Sequence, residues 1–223
     1  LDIGTGKITK KEMKGIPHHL IDVANPKYKF TVAEYQKKAI SAIADIVLRG
    51  KTPIICGGTG FYIDAITKSI VFPGVPPNNK LRKILEKKSA SELFKILKKL
   101  DKNRAKDIEN KNEQNNKVRL IRAIEIAKTL GKIPKITEAR PQYKFIKIGL
   151  YLPPNKLKKK VEKRVKKMFQ DGLLNEIKKL KKPALLGGSG VSDKRLKELG
   201  FEYFEPTYEK VVAETLKYAK RQM

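Results

Sequence analysis

The passage from Thr31 to Tyr62 constrains the fold most tightly, because it reads as helix, apolar strand, glycine turn, helix. Thr31-Val32-Ala33-Glu34 has the form of a capping box, in which the threonine and glutamate side chains take up N–H groups that a first helical turn leaves free. Ala39, Ile40, Ile43, Ile46 and Val47 then recur at helical spacing, and Arg49-Gly50 ends the run near Leu48. Thr52 to Cys56 is short and apolar, which predicts a strand of the buried type. Gly57-Gly58-Thr59-Gly60 turns at once into a second helix carrying Tyr62, Ile63 and Ile66. Alternation of this kind predicts an α/β fold with a parallel sheet, since a crossover helix is the usual way to reach a parallel neighbour.

The pattern changes at Pro73-Gly74-Val75-Pro76-Pro77, read as a domain boundary. Beyond it only helices are predicted as far as Leu130. Leu81, Ile84 and Leu85 mark one; Leu93, Ile96, Leu97 and Leu100 mark a second, with Ser89 and Glu92 placed to cap it. A short third spans 104–108, and a longer fourth runs from about Asn116 to Leu130 and stops at Gly131. Strand character returns over 145–152. A long helix follows Pro153-Pro154, with Leu157, Val161, Val165, Met168 and Phe169 in register, and Asp171-Gly172 breaks it. Residues 173–180 continue as helix, 181–191 read as a flexible loop, and short and long helices close the sequence around 193–199 and from about 208. The expected organisation is an α/β core from 1–72 and 143–223, with a helical insertion at 73–142.

Charge narrows the partners. Lys plus Arg number 51 against 23 Asp plus Glu, a net charge of +28 over 223 residues. Such an excess attracts polyanions through counterion release. By itself it does not separate tRNA from rRNA, DNA or an acidic membrane surface, and a lysine-rich genome also produces it. No apolar run is long enough to cross a bilayer, so no transmembrane helix is expected, and a membrane is not among the expected partners. Cys56 is the single cysteine, which excludes an internal disulfide and a cysteine-built zinc site and fits a cytoplasmic setting.

Four places invite chemistry, each with a plainer reading beside it. Gly57, Gly58 and Thr59 lie between a strand and a helix start, where backbone N–H groups meet anions and the helix dipole favours negative charge; the plainer reading is a tight turn. No Gly-Lys-Ser/Thr follows, so this is not a Walker loop. His18 and His19 project in different directions with no other His or Cys nearby, which predicts one buried and one exposed histidine, not a metal site. Arg119 and Arg122 share a helix face, able to hold a phosphate or a splayed base or, equally, to form a solvated basic face with Arg122 paired to Glu125. Arg164 stands among Lys158, Lys159, Lys160, Lys163, Lys166 and Lys167, where its planar fork suits a diphosphate better than lysine does. Most of the surrounding lysines read as a solvated face.

Taken together these segments resemble the tRNA dimethylallyltransferase family over nearly the whole chain. Asp2–Lys7 is similar to its Asp-Ile-Gly-Thr-Ala-Lys segment, with Gly6 in place of Ala, and Pro17–Asp22 to its Pro-His-His-Leu-Ile-Asp segment. Gly57–Tyr62 resembles Gly-Gly-Thr-Gly-Leu-Tyr with Phe61 for Leu, and Arg119–Glu125 resembles Arg-x-x-Arg-Ala-x-Glu. Val161–Leu173 resembles a helix of the form x-x-x-Arg-Val-x-x-Met-x-x-x-Gly-Leu, Lys197–Phe201 resembles Gln-Ala-Ile-Gly-Tyr, and Tyr218–Gln222 matches Tyr-Ala-Lys-Arg-Gln.

The resemblance implies a P-loop-transferase-like parallel sheet core with a helical insertion that binds tRNA. It implies transfer of a dimethylallyl group from dimethylallyl diphosphate to N6 of the adenosine 3′ of the anticodon, with Mg²⁺ assisting departure of diphosphate. Thr59 and Arg164 would be catalytic, with Gly57, Gly58 and Lys160 completing the diphosphate channel. Arg82, Arg119, Leu120 and Arg122 of the insertion would contact the anticodon arm, as would Lys197, Gly200, Phe201, Lys220 and Arg221. A monomer is expected. The family's Gly-Pro-Thr-x-x-Gly-Lys-Thr loop and Asp-Ser-x-Gln segment would precede Leu1, and its Thr-Trp-Phe-Arg tail would follow Met223. The expectation is therefore a fragment lacking the first β-α unit, inactive alone and prone to aggregate at an exposed sheet edge. Lys160 for Arg, Lys197 for Gln and Phe201 for Tyr depart from the family pattern, as do Leu216 and Lys217 for Arg-Gln. Two other functions stay open: prenylation of free adenine nucleotides, and a non-catalytic basic RNA-binding remnant.

Overall fold

The computed structural model describes residues 1–135 and 137–222. It divides into two compact units, Leu1–Lys68 with Pro141–Met223, and Ser69–Arg140.

In the first unit, helix α1 (Val32–Leu48) starts on the anticipated capping box: the Thr31 hydroxyl accepts from the Glu34 N–H, and the Glu34 carboxylate accepts from the Thr31 N–H at 2.7 Å. It stops where Gly50 takes a φ of +65°, a conformation glycine adopts without steric cost. Helix α2 (Gly60–Thr67) packs on α1 through Ile66, Ala39 and Ile43, with the Tyr35 and Tyr62 rings 4.7 Å apart.

The second unit is helical apart from one ladder. Strand β1 (Ile70–Val71) pairs antiparallel with β2 (Thr137–Glu138), Ile70 opposite Glu138. Between them come α3 (Asn79–Leu85), α4 (Ala90–Leu100), α5 (Lys102–Asn110) and α6 (Lys117–Leu130). Asn78, Ser89, Asp101 and Asn116 each cap the helix that follows with a side-chain oxygen. Leu93 and Leu97 of α4 meet Ala105 and Ile108 of α5 and Leu120 and Ile124 of α6 in a continuous core.

The first unit resumes with α7 (Pro154–Gln170), α8 (Leu173–Lys181), α9 (Asp193–Leu199) and α10 (Tyr208–Gln222). Pro at the first helical position suits α7, because its missing N–H would have had no helical partner. Gly172, at a φ of +98°, separates α7 from α8. Val161 and Val165 of α7 pack on Val211 of α10. Met168, Leu173, Ile177, Leu196 and Tyr203 form a second cluster, against which Leu1 and Ile3 rest.

Two expectations fail here. The expected parallel sheet is not formed among the described residues: neither 52–56 nor 145–152 is a strand. Ile54 is 87% exposed, and Ile146, Ile148 and Leu150 are 91, 81 and 96% exposed. An apolar run records the burial a segment suits, but a strand also needs a neighbour for its ladder bonds, and no described segment supplies one to either. The loop at 181–191, expected to be flexible, is folded back onto the end of α8. Ser189, Gly190 and Val191 donate to the carbonyls of Lys179, Lys182 and Leu180, and Val191 is buried.

Candidate active site

The first cluster forms around the Asp2–Lys7 loop. Its turn is closed by the Gly6 N–H to the Ile3 carbonyl at 2.9 Å and the Lys7 N–H to the Asp2 carbonyl at 2.8 Å. Glu176, from the first turn of α8, accepts the N–H groups of Asp2, of Ile3 at 3.3 Å and of Gly4 at 3.0 Å. The Tyr203 hydroxyl donates to the same carboxylate at 3.3 Å. The Tyr203 phenol is held well above its usual range, first by burial and then by the negative charge and hydrogen bond of Glu176.

Both loop glycines sit where a side chain would collide. A Cβ at Gly4 would lie 2.5 Å from the Tyr203 ring. One at Gly6, whose φ is +59°, would lie 2.4 Å from Nη2 of Arg164. Arg164 reaches this loop from α7, and its Nη2 donates to the Thr5 carbonyl at 3.2 Å. Arg164 is an exposed residue with donors beyond this one bond for an anion, and its charge also reaches the Glu202 carboxyl, which burial holds above its usual range.

Lys7 joins this loop to the His-His segment. Its Nζ pairs with Asp2 and, at 2.8 Å, with Asp22. The hydrogen bond from Lys7 holds the Asp2 carboxyl below its usual range, and Asp2 and then Asp22 raise Lys7. His18 and His19 are both exposed, against the expectation of one buried histidine: in this segment it is Leu20 that packs against the Ala39–Ile43–Ile66 cluster, and His18 Nδ1 lies 2.8 Å from the Ile16 carbonyl.

The second cluster is the glycine turn. Thr59 is the N-cap of α2, yet its hydroxyl makes no capping bond; it lies 3.3 Å from the Tyr218 hydroxyl of α10. Gln222, one turn further along α10, donates from Nε2 to the Gly58 carbonyl at 2.6 Å. A Cβ on Gly58 would lie 2.3 Å from that nitrogen. Gly57, Gly58 and Thr59 are all exposed. Helix α10 therefore touches the glycine turn with one end and packs by Val211 on α7, the helix that carries Arg164. Lys160, one helical turn before Arg164, is exposed on α7.

The arginines of the second unit have a different environment. Glu125 of α6 is 1% exposed. It takes Arg82 in a two-pronged pair, Nε and Nη2 each at 2.7 Å, and accepts the Asn78 N–H at 2.8 Å. Arg122 donates to Glu125 at 3.3 Å and to the Val75 carbonyl at 2.7 Å. Burial pushes the Glu125 carboxyl up, but the Arg82, Asn78 and Arg122 hydrogen bonds outweigh it and leave it below its usual range. Arg82 and Arg122 are thus committed to this internal triad. Arg119 pairs with Glu113 and stays half exposed. Leu120, expected at the RNA contact, is fully buried in the helical core, so its side chain presents nothing to a partner.

Of the C-terminal residues, Phe201 lies against the Val161–Val165–Val211 cluster, and Lys197 sits 5.1 Å over the Phe204 ring. Gly200 ends α9, and Lys220 and Arg221 are exposed in the last turn of α10. Sequence reasoning missed Glu176, Tyr203, Tyr218 and Gln222. Tyr218 and Gln222 belong to the Tyr-Ala-Lys-Arg-Gln segment, in which the two cations are the obvious candidates for an RNA contact. Glu176 is one of just three acids (Glu162, Asp171, Glu176) among twelve Lys and Arg between Pro153 and Lys182, and that rarity was its signal.

An arginine over one glycine loop and a hydroxyl beside a second glycine turn are groups that can bind a phosphate and stabilise charge as it develops. The family model for IPP transferase matches residues 1–223. A tRNA dimethylallyltransferase of Anoxybacillus flavithermus is 38% identical over 232 residues, covering 100% of this chain and 73% of the relative. The solved full-length tRNA isopentenylpyrophosphate transferase of Bacillus halodurans is 31% identical, with a TM-score of 0.61 over 99% of this chain and 72% of its own. A eukaryotic dimethylallyltransferase solved acting on tRNA is 26% identical, with a TM-score of 0.72 over 99% of this chain and 58% of its own. This chain belongs to the IPP transferase family.

Proposed function

We propose that the protein transfers a dimethylallyl group from dimethylallyl diphosphate to N6 of the adenosine 3′ of the anticodon in tRNA. The observation that carries this reading is the seating of the exposed Arg164 on the Thr5–Gly6 turn. In the reaction the N6 lone pair bonds to the allylic carbon, the carbon–oxygen bond breaks, its electrons leave with diphosphate, and one proton leaves N6. Charge builds on the departing oxygens, so a fixed cation there stabilises the transition state more than the ground state. Arg164 supplies that cation in our reading, with Lys160 beside it. Gly57, Gly58 and the Thr59 hydroxyl line the channel. The finer architecture we assign is a P-loop-transferase-type core in a cytoplasmic enzyme, with the helical unit as the tRNA platform. Arg119, Lys197, Lys220 and Arg221 are the exposed cations assigned to the RNA.

Mg²⁺ enters this reading as an ion carried by the diphosphate. Among the described residues no group of three His, Cys, Asp or Glu could hold a metal, and Asp2 and Asp22 are both taken by Lys7. The residues present do not form a metal cage, and no step above runs through the ion.

The test incubates the product of the complete reading frame with labelled dimethylallyl diphosphate and, in parallel, tRNA or AMP. Label on tRNA alone is expected. Label on AMP would make the protein an adenine-nucleotide prenyltransferase. Salt-sensitive tRNA binding without transfer would leave an RNA-binding protein.

A further inference from the structure

The geometry points to Glu176 as a positioning residue for the transfer, acting through the Asp2–Gly6 loop on Arg164 and held in place by Tyr203. This rests on the diphosphate reading of Arg164 given above.

The chain of contacts is short. One carboxylate gathers three successive backbone N–H groups, those of Asp2, Ile3 and Gly4. Three donors converging on one anion fix the loop far more tightly than a turn bond would, because bonds to a charged acceptor are about twice as strong as neutral ones. The same loop then offers the Thr5 carbonyl to Arg164 and, at Gly6, a surface without a side chain for the guanidinium to lie on. Tyr203 completes the arrangement from the other side. Its ring fills the space against Gly4 that a Cβ would occupy, and its hydroxyl donates the fourth bond to Glu176. Tyr203 is 1% exposed, so its hydroxyl is held out of water and aimed at the carboxylate.

Nothing in this arrangement touches the diphosphate directly; Glu176 is negative and would repel it. Its effect is on where the Arg164 fork points. Small displacements of a charge-stabilising group cost rate steeply, since the stabilisation depends on donors already aimed at the leaving oxygens.

The test uses Glu176→Gln and Tyr203→Phe in the product of the complete reading frame. Glutamine keeps the shape, but its amide NH₂ must face at least one of the backbone N–H donors, which unseats the loop. Tyr203→Phe keeps the ring against Gly4 and removes the hydroxyl's bonds to Glu176 and to Thr5 of the same loop. In Glu176→Gln we expect kcat to fall on the order of 10- to 100-fold, inhibition by inorganic pyrophosphate to weaken in parallel, and KM for tRNA to stay unchanged. Tyr203→Phe should show the same pattern, smaller. A purely structural role would instead lower active-enzyme concentration, leaving pyrophosphate inhibition of the folded fraction unmoved. Folded variants with unchanged kcat and pyrophosphate inhibition would overturn the inference. If Glu176→Gln does not fold, Tyr203→Phe decides by the same two readouts. If the unaltered protein transfers nothing to tRNA, the functional reading fails, not this one alone.

Discussion

At the scale of the residue, the account turns on how Arg164 meets the Thr5–Gly6 turn. Arg164→Lys keeps the charge but loses the planar fork, so kcat should fall at least about tenfold with little change in the melting temperature. Gly6→Ala introduces the alanine that the family pattern carries here. In this chain, at a φ of +59°, it should destabilise the protein by about 1 kcal/mol and push the guanidinium off the Thr5 carbonyl. Gly15→Ala is the comparison, because Gly15 also has a positive φ, +77°, but nothing within 4 Å of its Cβ. Both should lose similar stability, measured by thermal unfolding, and only Gly6→Ala should weaken pyrophosphate inhibition. Equal effects on inhibition would detach Gly6 from the site. Arg164 was legible in the sequence because it is an arginine in a lysine run. Its partners were not, since the Thr5 carbonyl and the N–H groups held by Glu176 are backbone atoms that side-chain identity does not report.

At the scale of the element, the helices were legible and their partners less so. Capping boxes at Thr31 and Ser89, the stop at Gly131 and the break at Gly172 are local signals, fixed within one turn of chain, and each appears where the spacing places it. What α6 does with its arginines was not local: Arg82 and Glu125 are 43 residues apart. Glu125→Gln should destabilise the helical unit by about 3 kcal/mol, the low end for breaking a buried pair, because both arginines keep partial access to water. The pH dependence follows from the same triad. The Glu125 carboxyl is lowered by folding, so its contribution is present above the ordinary glutamate value and is lost as pH falls below about 4.3. Hydrogen exchange of the α6 amides should quicken in that window in the unaltered chain, and Glu125→Gln should flatten this dependence. An unchanged acid profile in the variant would remove Glu125 as its source.

At the scale of the whole molecule, two properties dominate: a net charge of +28 and exposed apolar side chains, at Ile54 and in a row along the chain at Ile146, Ile148 and Leu150. The charge predicts tRNA binding that weakens steeply with salt, read as the slope of log affinity against log salt. A flat slope would mean that the basic surface does not meet RNA. The apolar row predicts self-association of the 223-residue chain, visible by sedimentation, which Ile146→Lys with Ile148→Lys should relieve. The sheet expected from these runs does not appear among the described residues, and apolar patterning could not have settled it, because it specifies a buried face but not the strand that must pair beside it. Family membership was legible for the opposite reason: seven short segments kept their order along the chain. The most direct measurement is the mass of the nucleoside 3′ of the anticodon, digested from tRNA treated with the complete-reading-frame product and dimethylallyl diphosphate. The account predicts that this adenosine gains one dimethylallyl group on N6 and that Arg164→Ala abolishes the gain. An unmodified adenosine, or equal modification by the Arg164→Ala protein, would contradict it.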